Sequence, residues 1–273
     1  MRAPLLAVLL AAALCWPAQA EPSAELRRQH EEMLYAVTMV RTAGGSGSGI
    51  VIYSQERDGE WASYILTNHH VISSAIRRQK ICCDEDGEQH EVERRSPVEV
   101  LWFEYNDLSR PVGNRGKRAE IEAFDQLADL ALLRLQDREN PVAPVALMHD
   151  PADPLYMFEP VWAVGAGLGE PPFATAGLLS RVEKEIDGYP YITASAPIIY
   201  GNSGGALFHL SSAGRYELIG VTSRGRAAGW QLVEHINFSI SMETVSEFLR
   251  ANCHGLIVGD EVEREECREE EEK

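Results

Sequence analysis

The sequence predicts an all-β protein, a barrel or sandwich, with one late helix. Two observations predict it. Short apolar runs with strand character recur along the chain, separated by loops, and a single stretch of helical spacing follows the last of them. After the first strands, these runs fall at residues 98–103, 119–124, 130–135, 161–164, 177–182, 191–195, 206–210, 218–222 and 236–240. Pro141, Pro144, Pro151 and Pro154 cluster near the middle and read as a connector between two halves.

The chain opens with the basic Arg2, an apolar stretch over 5–16 and the small-x-small triplet Ala18-Gln19-Ala20, which together predict a cleaved secretory signal over residues 1–20 and a secreted or periplasmic protein. Pro17 speaks against a first helix of the fold there. Ser23 is placed to cap a short helix with Leu26, His30, Met33 and Leu34 on one face. His30-Glu31 does not begin a metalloprotease motif, because no second histidine stands at the helical spacing.

From Tyr35 to Val40 the alternation is that of a strand. The glycine run 44–49 then reads as a hairpin turn, with Ile50-Val51-Ile52-Tyr53 as the returning strand. Tyr64-Ile65-Leu66-Thr67 resumes strand character and stops at Asn68-His69-His70-Val71-Ile72. At the far end Ser241 caps a helix whose Met242, Val245, Phe248 and Leu249 share a face.

Of 273 residues, enough for one large or two small domains, no internal run reaches the ~18 apolar residues of a membrane span. The net charge of −17 argues against a nucleic-acid partner. The segment from Asp260 holds nine acids against three bases, so 253–273 is expected to be a solvated, disordered tail. Beyond the signal four cysteines remain, Cys82, Cys83, Cys253 and Cys267. Adjacent Cys82 and Cys83 are poor partners for each other. A bridge from either to Cys253 or Cys267 is allowed, and the connectivity stays open. Neither C-x-x-C nor H-x-x-x-H spacing is present, so no metal site and no cofactor is expected.

The chemistry concentrates at three places. Gly201-Asn202-Ser203-Gly204-Gly205 sets a serine in a glycine turn, where a hydroxyl and neighbouring backbone N–H groups can face one point, as acyl transfer requires. His69 and His70 stand where a strand ends, and Asp129 opens the apolar run Leu130-Ala131-Leu132-Leu133. A carboxylate at that edge needs a hydrogen-bonding or cationic partner, which an imidazolium supplies.

The segments Thr67-Asn68-His69-His70-Val71, Asp129-Leu130-Ala131-Leu132-Leu133 and Gly201-Asn202-Ser203-Gly204-Gly205-Ala206-Leu207 resemble the three active-site segments of chymotrypsin-fold serine proteases, most closely the HtrA/Deg-like and small trypsin-like peptidases. Gly47-Ser48-Gly49-Ile50, Ile219-Gly220-Val221 and Ile236-Asn237-Phe238-Ser239-Ile240 extend the resemblance over about 35–250. It implies two six-stranded antiparallel β-barrels within a peptidase domain at 21–252. The first lies at about 35–140, the second at about 155–245, and the closing helix at 242–252. It also implies polypeptide substrates and no cofactor.

By the same resemblance His70 is the general base, with His69 the runner-up. Asp129 is the orienting carboxylate, with Asp125 the alternative, and Ser203 is the nucleophile. The backbone of Gly201, Asn202 and Ser203 forms the oxyanion hole. Pro197, Ile198, Ile199, Ser223, Arg224 and Gly225 line the primary pocket, whose apolar character implies small or medium apolar side chains on the acyl side of the cleaved bond. Arg224 or Arg226 would bend that preference toward acidic neighbours.

Asn202 stands where digestive proteases carry the aspartate that pairs with a newly cut N-terminus, so that activation route is not expected. Some twenty residues follow position 252, too few for the PDZ domain of HtrA proteins. A catalytically silent binding module on the same fold is the competing expectation, and the three intact reacting groups speak against it. An α/β-hydrolase would need the order Ser, Asp, His, which the chain lacks.

Overall fold

Alternating burial along paired strands shapes most of the described strands into two closed sheets. The computed structural model describes residues 21–81, 90–228, 231–260 and 267. The expected signal at 1–20, Cys82 and Cys83, and most of the acidic segment after 260 lie outside the described residues.

The chain starts with α1 (Ala24–Gln29), capped by Ser23, whose Oγ accepts from Leu26 N–H at 3.1 Å, and continues through a π-helical turn at His30–Leu34. Then come β1 (Val37–Thr42), β2 (Gly45–Arg57), β3 (Glu60–Thr67), the four-residue α2 (His69–Ile72), β4 (Ile76–Ile81), β5 (His90–Arg95), β6 (Val98–Asn106), β7 (Arg110–Asp125) and β8 (Leu130–Leu135). Six of these close an antiparallel barrel in the order β1-β2-β3-β8-β7-β6, and β4 with β5 forms a separate two-stranded ribbon. Val40, Val51, Ile65, Val100, Leu133 and Leu135 face inward and make the barrel's core. The ribbon was not expected. Arg77, Arg78, Glu91, Glu93, Arg94 and Arg95 make it polar on both faces, so no apolar alternation marks it.

The glycine run is a correction. The turn lies at Ala43-Gly44, and Gly45, Gly47 and Gly49 belong to β2. Close packing is the reason: a Cβ on Gly47 would stand 2.6 Å from Val71 Cγ2 and 3.0 Å from Ser203 O.

The second half holds β9 (Leu147–Met148), β10 (Pro160–Gly165), β11 (Phe173–Ile186), β12 (Tyr189–Ala194), β13 (Ala206–Leu210), β14 (Tyr216–Ala228) and β15 (Gln231–Ser241). Its sheet runs β13-β10-β11-β12-β15-β14, and pairing of β13 with β14 closes the ring of six antiparallel strands, with β9 added in parallel outside β14. The two six-stranded barrels expected from the sequence are therefore both present. Among the described residues no helix is long and apolar enough to cross a membrane.

After β15 comes α3 (Met242–Ala251), capped by Ser241 and burying Met242, Val245, Phe248 and Leu249. The segment expected to be disordered begins otherwise. Gly255–Val258 forms a 3-10 turn, Asp260 pairs with Arg250 at 3.0 Å, and Cys253 is joined to a buried Cys267. His254 packs its ring 4.9 Å from that of Tyr64, so this closing segment seals the side of the first barrel.

Although Glu122 Oε1 lies 3.6 Å from His254, burial, reinforced by the charges of Arg134 and Arg57, pulls its pKa down from 6.5 to about 4. The folded protein thus holds this imidazole neutral while the unfolded chain protonates first. The stabilisation is complete above pH 6.5 and is lost as pH falls toward 4. His254→Gln should flatten the decline in denaturant stability across that window by roughly 3 kcal/mol. Parallel stability curves for wild type and variant would refute the assignment.

Candidate active site

His70 owes its position to a strand that stops. β3 ends at Thr67, Asn68 is extended (φ −86°, ψ 149°), and α2 follows at once, so the imidazole leaves the sheet. Asn68 is buried and donates from Nδ2 to Asp129 O at 2.9 Å, tying the end of β3 to the start of β8. Asp129 itself has φ 57°, a left-handed conformation that aspartate tolerates better than most side chains.

These constraints bring His70 Nδ1 to 3.0 and 2.9 Å from the two carboxylate oxygens of Asp129. The His70 N–H donates to Oδ1 at 3.1 Å and Ser223 Oγ donates to Oδ2 at 2.8 Å. An ionised carboxylate only accepts, so Nδ1 carries a proton and a neutral ring presents its lone pair at Nε2. Burial opposes the charge on Asp129. The His70 hydrogen bond and charge, the His70 N–H and the Ser223 hydroxyl together outweigh it and hold the carboxyl below its ordinary value.

Ser203 stands in a turn held by Gly204 N–H to Thr222 O at 2.8 Å and Gly205 N–H to Asn202 O at 2.8 Å. Gly204 has φ 81°, and a Cβ there would lie 2.2 Å from Ser48 O and 2.3 Å from Thr67 Oγ1, so only glycine fits. The Ser203 hydroxyl donates to Ser223 O at 3.1 Å, and no hydrogen bond joins it to His70. The structure therefore pairs His70 with Asp129 directly and links Ser203 to them through Ser223, whose carbonyl meets the serine and whose hydroxyl meets the carboxylate.

The expected oxyanion hole needs one correction. Asn202 N–H donates to Ile199 O at 3.1 Å inside the turn and is not free. Among the described residues the N–H groups of Gly201 and Ser203 have no such partner. Leu168 N–H donates to Tyr200 O at 2.6 Å. Because a trans peptide places its C=O and N–H on opposite sides, this contact fixes the Gly201 N–H pointing away from Leu168.

One residue ties the turn to the first barrel. Ser48 is fully buried; its N–H donates to Ser203 O at 2.7 Å, its Oγ donates to Gly201 O at 2.7 Å and accepts from Ala166 N–H at 2.8 Å, and its carbonyl accepts from Thr67 Oγ1 at 2.7 Å. The sequence placed it in the glycine run read as a hairpin turn, and no local pattern signals contacts made more than 100 residues away.

The remaining predicted residues separate. His69 lies against Phe124, ring centroids 5.2 Å apart, and burial lowers its pKa. Asp125 accepts from Leu127 and Ala128 N–H at 2.7 and 3.0 Å and forms a turn, far from a triad role. Ser223 had been expected in the pocket. Its side chain is instead committed to Asp129, because a buried carboxylate requires donors. Ile198 is a core residue of the second barrel, while Pro197 and Ile199 are half-buried. Arg224 covers the Tyr191 ring at 5.4 Å, donates to its hydroxyl at 3.2 Å and meets Asp187 at 3.5 Å; Gly225 pairs with Asn237 in the sheet.

The family model for the trypsin-like peptidase domain matches residues 47–221. The chain is 29% identical over 220 residues to a probable periplasmic serine endoprotease DegP-like of Ectopseudomonas mendocina, covering 78% of this chain and 36% of that protein. It is 30% identical over 189 residues to the periplasmic pH-dependent serine endoprotease DegQ of Escherichia coli, covering 68% and 32%. The chain thus spans about a third of the length of the curated relatives it matches. A crystal structure of the serine endoprotease from Yersinia pestis superposes with a TM-score of 0.56 at 22% identity, over 85% of this chain and 67% of that one, a likeness of fold.

Ser48→Ala would leave Gly201 O and Ala166 N–H without their hydroxyl partner in a buried seam. Each such loss costs about 1–3 kcal/mol, so the variant should lose about 2–4 kcal/mol in denaturant unfolding. A loss under about 0.5 kcal/mol, ordinary for a surface site, would show that the hydroxyl does not hold the turn.

Proposed function

The chain belongs to the trypsin-like peptidase family, and from that premise we propose that it is an exported serine endopeptidase acting through Ser203, His70 and Asp129. The observation that carries this reading is the Asp129–His70 pair in the tautomer that frees Nε2, with Ser203 attached to the same network through Ser223.

In the proposed reaction, rotation about the Ser203 Cα–Cβ bond turns the hydroxyl from Ser223 O to His70 Nε2, a tightening that substrate commonly brings. Ser203 Oγ attacks the scissile carbonyl carbon while its proton passes to Nε2. Asp129 keeps Nδ1–H in place and stabilises the imidazolium. The N–H groups of Gly201 and Ser203 receive the developing oxyanion, a donor of this kind contributing roughly 3 kcal/mol. Collapse breaks the C–N bond, Nε2 returns its proton to the leaving amine, and water repeats the cycle on the acyl-enzyme to release the acid and regenerate the serine.

The preference we propose is for small or medium apolar side chains on the acyl side. Pro197, Ile198 and Ile199 carry no charge, and the Arg224 guanidinium is occupied by Tyr191 and Asp187. The apolar start of the chain and the periplasmic names of its relatives support export.

A fluorophosphonate probe should label the wild type at Ser203 and leave Ser203→Ala unlabelled, and Asp129→Asn should cut the turnover of a peptide ester about 10⁴-fold. A wild type that folds but neither labels nor digests casein is a binding module, and the proposal falls. In peptide-library digestion Ala, Val, Ile or Leu should dominate on the acyl side; cleavage mainly after Lys or Arg would overturn the pocket assignment.

A further inference from the structure

Away from the cleft, three side chains of the second barrel converge on one point. His209 of β13 and Glu217 of β14 are cross-strand partners, so their side chains share one face of the hairpin. β9 pairs in parallel with Glu217 and Leu218, and the next residue, His149, donates its N–H to Leu218 O at 3.0 Å. Three neighbouring strands therefore deliver two imidazoles and a carboxylate, with one ligand atom from each lying within 4.8 Å of the others. Both histidines are 5% exposed.

As it stands, this cluster is poorly satisfied. His209 has no hydrogen-bond partner at either ring nitrogen, although a buried polar atom normally has one. Its Nδ1 faces Glu159 Oε2 at 3.5 Å and its Nε2 faces Glu217 Oε2 at 3.7 Å, both beyond ordinary hydrogen-bond length. Both ring nitrogens of His149 face acceptors, Nδ1 toward Glu217 Oε2 at 2.9 Å and Nε2 toward Asp153 O at 3.2 Å, so a neutral ring can donate to only one and turns its lone pair to the other. A carboxylate facing a lone pair is repulsive unless a positive charge joins them. Protonating His149 would supply one, yet it would leave His209 unpartnered.

We propose that His149 Nδ1, His209 Nε2 and Glu217 Oε2 bind a divalent transition-metal ion of the zinc type, with water as the fourth ligand. Ligand atoms about 2.0–2.1 Å from a tetrahedral zinc lie about 3.3 Å from one another; the two edges to Glu217 Oε2 measure 2.9 and 3.7 Å and all three ligand atoms fall within 4.8 Å, so small side-chain rotations bring them to that spacing. Metal-bound imidazoles usually give their second nitrogen to a carbonyl or carboxylate, and Asp153 O and Glu159 stand in those positions. Two nitrogen ligands disfavour Mg²⁺ and Ca²⁺, which take oxygen. Such an ion would pin β9 to the β13–β14 hairpin, with its water keeping one coordination position open.

The test is titration of the untagged, chelator-dialysed full chain with Zn²⁺, followed by calorimetry and thermal unfolding, with Co²⁺ as an optical probe. One equivalent should bind per chain. At free Zn²⁺ about 100 times Kd, Tm should rise by about 5–10 °C. Co²⁺ should give the intense visible absorption of a tetrahedral site, and Mg²⁺ should have no effect. His209→Gln and Glu217→Gln should each abolish the Co²⁺ spectrum and the Tm shift. Absence of saturable Zn²⁺ binding by wild type would overturn the proposal and leave a buried His149–Glu217 ion pair only. Zn²⁺ binding unchanged in either variant, or only weak octahedral Co²⁺ absorption in wild type, would overturn it as well; the wild-type spectrum decides the matter even where a variant fails to fold.

Discussion

The seam between the barrels depends on the backbone and hydroxyl of Ser48. Through Ser203 O, Gly201 O, Ala166 N and Thr67 Oγ1 it joins the serine turn of the second barrel to the strand end from which His70 departs. These contacts are buried or half-buried, where a polar group without a partner is costly. The contacts also explain the glycines around them: Gly47 and Gly204 let two main chains approach to distances that any side chain would prevent. The relative position of imidazole and hydroxyl is therefore set by hydrogen bonds of the Ser48 backbone and hydroxyl across the seam, and less by the reacting side chains themselves.

The electrostatic arrangement follows from the same seam. Asp129 is buried at the mouth of β8 and accepts from a ring N–H, a backbone N–H and a hydroxyl. Two of the donors come from the first barrel and the third from the second. The carboxylate thus stays ionised although its burial opposes charge, and it senses whether the two halves are in register. Ser223 makes this coupling double, since its carbonyl holds the Ser203 hydroxyl at the same time.

Apolar alternation made most strands legible: 130–135 and 206–210 have the same limits in the sequence and in the structure, and the caps Ser23 and Ser241 mark helix starts by their own chemistry. The charged ribbon β4–β5 carried no such signal, and the glycines of β2 read as a turn because the partners that require them are distant in sequence. At the site, His70, Asp129 and Ser203 were identifiable because their neighbours form motifs. Ser223 was assigned to the pocket because its hydroxyl partner is 94 residues away. The cluster of His149, His209 and Glu217 was invisible for a related reason: it is assembled by cross-strand register and a parallel strand, which leave no fixed spacing along the chain.

The proline-rich connector has a consequence for how the molecule is assembled. Val142 N–H reaches Ser54 Oγ at 2.9 Å and Ala146 N–H reaches Val51 O at 2.8 Å on one side, while β9 and His149 N–H engage β14 on the other. It is a strap stitched to both bodies, to β2 on one side and to β14 on the other. The halves are consequently poor candidates for independent fragments. Cutting the strap would remove hydrogen-bond partners from β2 and β14 at once.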